Sequence, residues 1–144
     1  MAVSDRLKAL KEEKAAANLK EAEVFLAENA SRQGVVLLPS GLQYQILVEG
    51  NGEKPGLNHF VTCHYHGTLI NGEVFDSSVQ RGQPASFPVS GVIKGWIEAL
   101  QLMPAGSKWR LFLHPNLAYG DRQVSAKIGP SCALVFDVEL ISFR

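Results

Sequence analysis

Two hydrophobic periods divide this chain. From Asp5 to Gln33 the run DRLKALKEEKAAANLKEAEVFLAENASRQ is rich in Ala, Leu, Glu, Lys and Asn and holds neither Pro nor Gly, a composition of strong helix formers. Ser4 offers an N-cap and Gly34 a stop, so one long helix is predicted. Its apolar stripe is thin. Leu7 and Leu10 begin it, the centre offers Ala15, Ala16, Ala17 and Leu19, and Phe25 and Leu26 end it. Such a helix is expected to project into solvent or lean on a partner, with packing along its own domain as the alternative.

After Gly34 the period becomes two. In LQYQILV, the residues Leu42, Tyr44, Ile46 and Val48 face one way and Gln43 and Gln45 the other. GNGEKPG reads as a loop. Val61, Cys63 and Tyr65 share a face, as do Trp109, Leu111 and Leu113, and as do Leu134, Phe136, Val138 and Leu140. Asn71-Gly72 between apolar residues is a hairpin signal, read as a type I′ turn. The one helical pattern here is short: Val92, Ile93, Trp96, Ile97 and Leu100, closed by Met103-Pro104-Ala105-Gly106. The expected fold class is therefore α+β, an antiparallel sheet around one short helix, preceded by a long N-terminal helix. The domains divide at residues 1–34 and 35–144, with no internal repeat.

Composition narrows the function classes. The 144 residues suit one domain, 46% of them are apolar, and 14 basic residues balance 14 acidic ones. With no net charge and no Lys/Arg block, the electrostatic footprint of a nucleic-acid binder is missing. No apolar run approaches the roughly 20 residues of a membrane-spanning helix. MAVSDRLKALKEEK is charged where a signal peptide is apolar. The compartment stays open: bacterial or protozoan cytoplasm, or periplasm or exterior if a longer precursor carries a signal. Cys63 and Cys132 are too few for a disulfide framework; two buried thiols are expected, a bridge being the alternative.

Two chemistries are then weighed. His64 and His66 share a strand face, opposite Cys63 and Tyr65, and no Cys-x-x-Cys or His-x-x-x-His accompanies them, so no metal is expected. Cys63 lies on the apolar face, where burial keeps a thiol inert. There is no Gly-x-Ser-x-Gly, no dinucleotide fingerprint and no P-loop. Ser77 and Ser78 after Asp76 read as a local turn ending the strand. Left over are aromatic and branched residues beside turns, of which Phe75-Asp76 and Tyr119-Gly120 stand where recognition residues collect.

HYHGTLINGEVFDSS, GVIKGW, LAYG and ALVFDVEL, in this order and spacing, resemble the FKBP-type peptidyl-prolyl cis-trans isomerases over about residues 37 to 144. The leading helix with LPSGLQYQI, and GWIEALQLMPAGSKWRL, are similar to the macrophage infectivity potentiator branch, in which a long helix joins the catalytic domain to an N-terminal dimerisation domain. The resemblance implies a strongly curved half-barrel around the short helix, an apolar pocket between them, and no cofactor. It implies proline-containing polypeptides as substrates, macrolides of the immunosuppressant class as ligands, and a monomeric chain holding only the end of that helix, with longer relatives homodimeric.

Its catalytic positions fall on Tyr119, Asp76 and Ile93. Its substrate-binding positions fall on Tyr65, Phe75, Arg81, Phe87, Val92, Trp96, Ile128 and Phe136, with the Trp96 indole as floor. Tyr119 is expected to donate to a substrate carbonyl and the Ile93 N–H to hold the peptide. Asp76 either interacts with the twisted amide or serves Tyr65 and Arg81. Three positions depart from the pattern. Ala85 is expected to widen one wall, Gly129 in place of a proline to loosen the loop Asp121 to Pro130, and Val124 to affect substrate preference. The alternative function is a polypeptide-binding chaperone module with weak or incidental isomerase activity. A third reading is an unrelated β domain with an ordinary aromatic core.

Overall fold

The fold is that of a computed structural model, which describes residues 3–122, 124, 125 and 127–144. Helix α1 (Val3–Ala30) leads into β1 (Val35–Leu37) and β2 (Gln43–Val48). Next come β3 (Phe60–Leu69), β4 (Val74–Ser77), the single turn α2 (Ser78–Arg81) and β5 (Ala85–Pro88). Helix α3 (Lys94–Leu102), β6 (Lys108–Leu113) and β7 (Leu134–Phe143) complete the chain. The seven strands form one curved antiparallel sheet in the order β1-β2-β6-β7-β3-β4, with β5 also on β3. The expected class and the alternation of β3, β6 and β7 hold. The three-residue β1 and the four-residue β5 were too short to show a period.

One edge of β3 is shared. Residues Phe60 to Cys63 pair with β5, and His66 to Thr68 pair with β4. Between them the ladder opens at Tyr65, and a side chain closes the gap. The buried Ser78 hydroxyl accepts the Tyr65 N–H at 2.7 Å and reaches the Tyr65 carbonyl at 3.2 Å. Ser77 accepts the Gln80 N–H and so caps α2. Two adjacent serines thus turn the chain outward and satisfy the strand it leaves.

Helix α3 covers the concave face. Trp96, Ala99, Leu100 and Met103 meet Val61, Cys63, Leu111, Leu113, Leu134 and Val138 in the main core. Ile93 lies just before the helix, as its N-cap.

The other face carries a correction. Residues 3–14 of α1 are exposed, as a polar helix should be, but Ala22 and Leu26 are buried with Phe112 and Ala133, and Asn29 is buried as well. Ala22 is small enough to bring the helix close. The polar groups beneath it are paired: Asn29 Nδ2 donates to Gln43 Oε1 at 2.8 Å, and Gln43 Nε2 to the Leu26 carbonyl at 2.9 Å. A glutamine on the face opposite the core looked solvated, yet it is 4% exposed because its amide closes a helix-to-sheet bridge. The hairpin is also corrected. Gly72 has φ +89°, but Asn71 does not enter the left-handed region, and Gly72 N–H returns to the Leu69 carbonyl. This is a three-residue loop with glycine at its left-handed position, not a type I′ turn.

Candidate functional site

Between α3, the sheet and the segment after β6 lies an open cavity of about 750 Å³. Its floor is Trp96, 5% exposed. Three rings meet that indole edge-on: Tyr65 at 5.5 Å between centroids, Phe87 at 5.4 Å and Phe136 at 5.1 Å. Phe75 stands against Phe136 at 5.4 Å and 89°. Gly67 permits that pair, since a Cβ there would lie 2.7 Å from Phe75 Cζ and 2.8 Å from Phe136 Cε1. Edge-to-face packing fixes each ring by its neighbours, so the walls are preformed. The indole Nε1 is buried and has no partner among the described residues.

The polar side of the site is one cluster. Tyr65 donates its hydroxyl to Asp76 Oδ2 at 2.7 Å, Arg81 donates to that hydroxyl at 2.9 Å, and Arg81 pairs with Asp76. The guanidinium also lies 5.6 Å from the Tyr65 ring centre. Burial works against the Asp76 charge, but hydrogen bonds from Tyr65 and Arg81 outweigh it and hold the carboxyl below its ordinary range. Burial, opposed by Arg81, raises the Tyr65 phenol. Asp76 is therefore a carboxylate with its lone pairs engaged, well suited to orienting Tyr65 and poorly suited to abstracting a proton.

Of the predicted residues, Tyr65, Phe75, Asp76 and Phe87 line this cavity together with Val92, Ile93, Trp96, Tyr119 and Phe136. Among the described residues no backbone carbonyl accepts the Ile93 N–H, which leaves that donor free beside the cavity. Arg81 is not part of the lining and acts on it through Tyr65 and Asp76. Ile128 is a correction: it is buried in the core that holds Trp96 and Phe136 and does not border the cavity. Ala85 does not border it either; it pairs with Cys63 in the sheet. Gly120, singled out with Tyr119, also lines the cavity, whereas sequence reasoning missed Lys94, Asn116 and Arg122. Lys94 lies inside the motif GVIKGW already singled out, so adjacency was a usable signal; Arg122 had none.

Other chemistry is poorly served here. Among the described residues no three His, Cys, Asp or Glu side chains converge. His64 and His66 each lie against a serine hydroxyl, at 3.0 and 2.9 Å. Cys63 and Cys132 are unbridged; Cys132 is half-buried rather than buried, and burial pushes the Cys63 thiol up to about 12.

Comparison with known proteins decides the family. Residues 51–141 match the profile described as FKBP-type peptidyl-prolyl cis-trans isomerase. The chain belongs to the FKBP-type peptidyl-prolyl cis-trans isomerase family. Residues 1–46 match the domain amino terminal to such isomerases. The chain is 53% identical over 131 residues to the outer membrane protein MIP of Legionella longbeachae, covering 91% of this chain and 56% of that protein. It is 49% identical over 139 residues to the FKBP-type 22 kDa peptidyl-prolyl cis-trans isomerase of Escherichia coli K12, covering 96% and 68%. The crystal structure of FkpA from Escherichia coli superposes with a TM-score of 0.94 at 40% identity, covering 99% of this chain and 66% of that one. The chain thus spans between about half and two thirds of these relatives.

Proposed function

We propose that this chain accelerates cis–trans rotation about Xaa-Pro bonds of polypeptides bound in the Trp96 cavity. The observation that carries the proposal is a preformed aromatic recess without a nucleophile, in a chain of this family. The reaction needs no covalent chemistry. Rotation must break amide resonance against about 18–20 kcal/mol, and unaided it takes tens to hundreds of seconds. The planar amide is the more dipolar form and water favours it, whereas a dry recess favours the twisted form. That preference is differential binding of the transition state. A thousandfold acceleration requires only about 4 kcal/mol.

The proline ring packs against Trp96, Phe136, Val92 and Tyr65. The free N–H of Ile93 holds the chain in register, and the Tyr119 hydroxyl donates to a substrate carbonyl. Asp76 and Arg81 lock the Tyr65 wall. An apolar macrolide of the immunosuppressant class would fill the same recess and compete with substrate. The chaperone reading is not favoured. It leaned on a projecting helix, and one face of the second half of α1 packs on the sheet through Ala22, Phe25 and Leu26. The test is a protease-coupled assay on a proline tetrapeptide, run beside suppression of aggregation of a proline-free unfolded protein. Acceleration in the first is expected; activity confined to the second would overturn the proposal.

A further inference from the structure

We propose that Asn18, on a helix that does not touch the cavity, is a positioning residue for the cavity wall formed by Tyr119 and Gly120. The proposal rests on the isomerase reading of that cavity. Asn18 Nδ2 donates to the Pro130 carbonyl at 2.8 Å, across 112 residues of sequence. The next residue, Ser131, donates its N–H to the Gly120 carbonyl at 2.8 Å. Gly120 and Tyr119 line the cavity. Two hydrogen bonds joined by the single Pro130–Ser131 peptide group therefore run from α1 to the wall.

The path is under tension at its centre. Ser131 has φ 57°, the one non-glycine residue in the left-handed region among those described, and Gly120 across from it has φ +62°. A side-chain-bearing residue persists there only where its surroundings impose it. The imposing contacts are visible. Ile128, Gly129, Pro130 and Ser131 are all buried. Gly129, expected to loosen this loop, instead lets the helix approach: a Cβ on it would lie 3.3 Å from Lys14 Cε and 3.4 Å from Asn18 Nδ2. The helix thus substitutes for rigidity that the glycine itself lacks.

Loss of the Asn18 amide leaves the Pro130 carbonyl without its partner and frees the segment to move off Gly120. A neutral hydrogen bond shifts such an equilibrium about fivefold. The experiment compares wild type with Asn18→Ala, Asn18→Asp, which cannot donate, and Asn18→Gln, which can. Amide exchange at Ser131 is followed by NMR, and KM and kcat are measured on a proline tetrapeptide. Ser131 exchange should rise about fivefold in the Ala and Asp variants. KM should rise about three- to fivefold with kcat within about twofold, and Asn18→Gln should restore both. Unchanged Ser131 exchange, or raised exchange with unchanged KM, would overturn the positioning role. A wild type without isomerase activity would sink the isomerase reading instead, and exchange at Ser131 would still decide whether Asn18 pins the wall.

Discussion

Phe136→Ala puts the double role of the cavity wall to the test. The ring is 4% exposed, meets Trp96 at 5.1 Å and Phe75 at 5.4 Å, and belongs both to the main core and to the lining. Truncating a buried phenylalanine to alanine costs about 3–5 kcal/mol, with the lost edge-to-face partners placing this site near 4. Unfolding entropy of about 2.1 cal/mol/K per residue gives roughly 300 cal/mol/K for a chain of 144 residues. The melting midpoint should therefore fall by about 10–15 °C. Scanning calorimetry reads that shift, and kcat/KM on a proline tetrapeptide, measured well below the new midpoint, should fall about tenfold or more. A midpoint lowered by less than about 3 °C would refute the packing argument. An unchanged kcat/KM in a folded variant would refute the role of the ring in the site.

Two further perturbations follow. Asp76→Ala should leave the melting midpoint within about 2 °C, because the side chains of the Arg81–Asp76 pair are 51% and 43% exposed and exposed pairs contribute little. It should still lower kcat/KM several-fold by releasing Tyr65. Since the Asp76 pKa is depressed on folding, its contribution is complete above the ordinary aspartate value near 3.9 and is lost only as pH falls through the lower folded value. Activity should accordingly be flat from about pH 5 to 8, and a loss centred near pH 6 in the pH profile would contradict this. For the thiols, a disulfide reagent at about pH 8 should label Cys132 quickly and Cys63 only after unfolding, because Cys63 is fully buried and its thiol is pushed up to about 12. Peptide mapping that finds Cys63 labelled in the native protein would place that strand wrongly.

The inner face of the sheet was legible because apolar residues recur at every second position of β3, β6 and β7, although Phe112 of β6 is buried on the outer face too. The outer face was not, since Gln43 and Asn29 hide their burial behind polarity and only the hydrogen bond between them shows it. Ala22 gave no signal either, its smallness mattering only once the sheet lies beneath it. At the site, residues in contiguous motifs such as Phe75-Asp76 and Tyr119-Gly120 fell into place. Ile128 did not, because an apolar residue suits a cavity wall and a core equally well, and only the packing shows it buried in the core with Trp96 and Phe136. The closure of β3 by Ser78 was likewise beyond reach. A serine after Asp76 reads as a turn, and nothing in its spelling reports which strand it satisfies.

The most direct test is exchange NMR on a peptide holding one Xaa-Pro bond, with and without a trace of this protein. The separate cis and trans resonances should exchange on a sub-second scale, with the equilibrium ratio unchanged and no covalent adduct. Resonances that remain separate and slow at stoichiometric protein would contradict the isomerase reading.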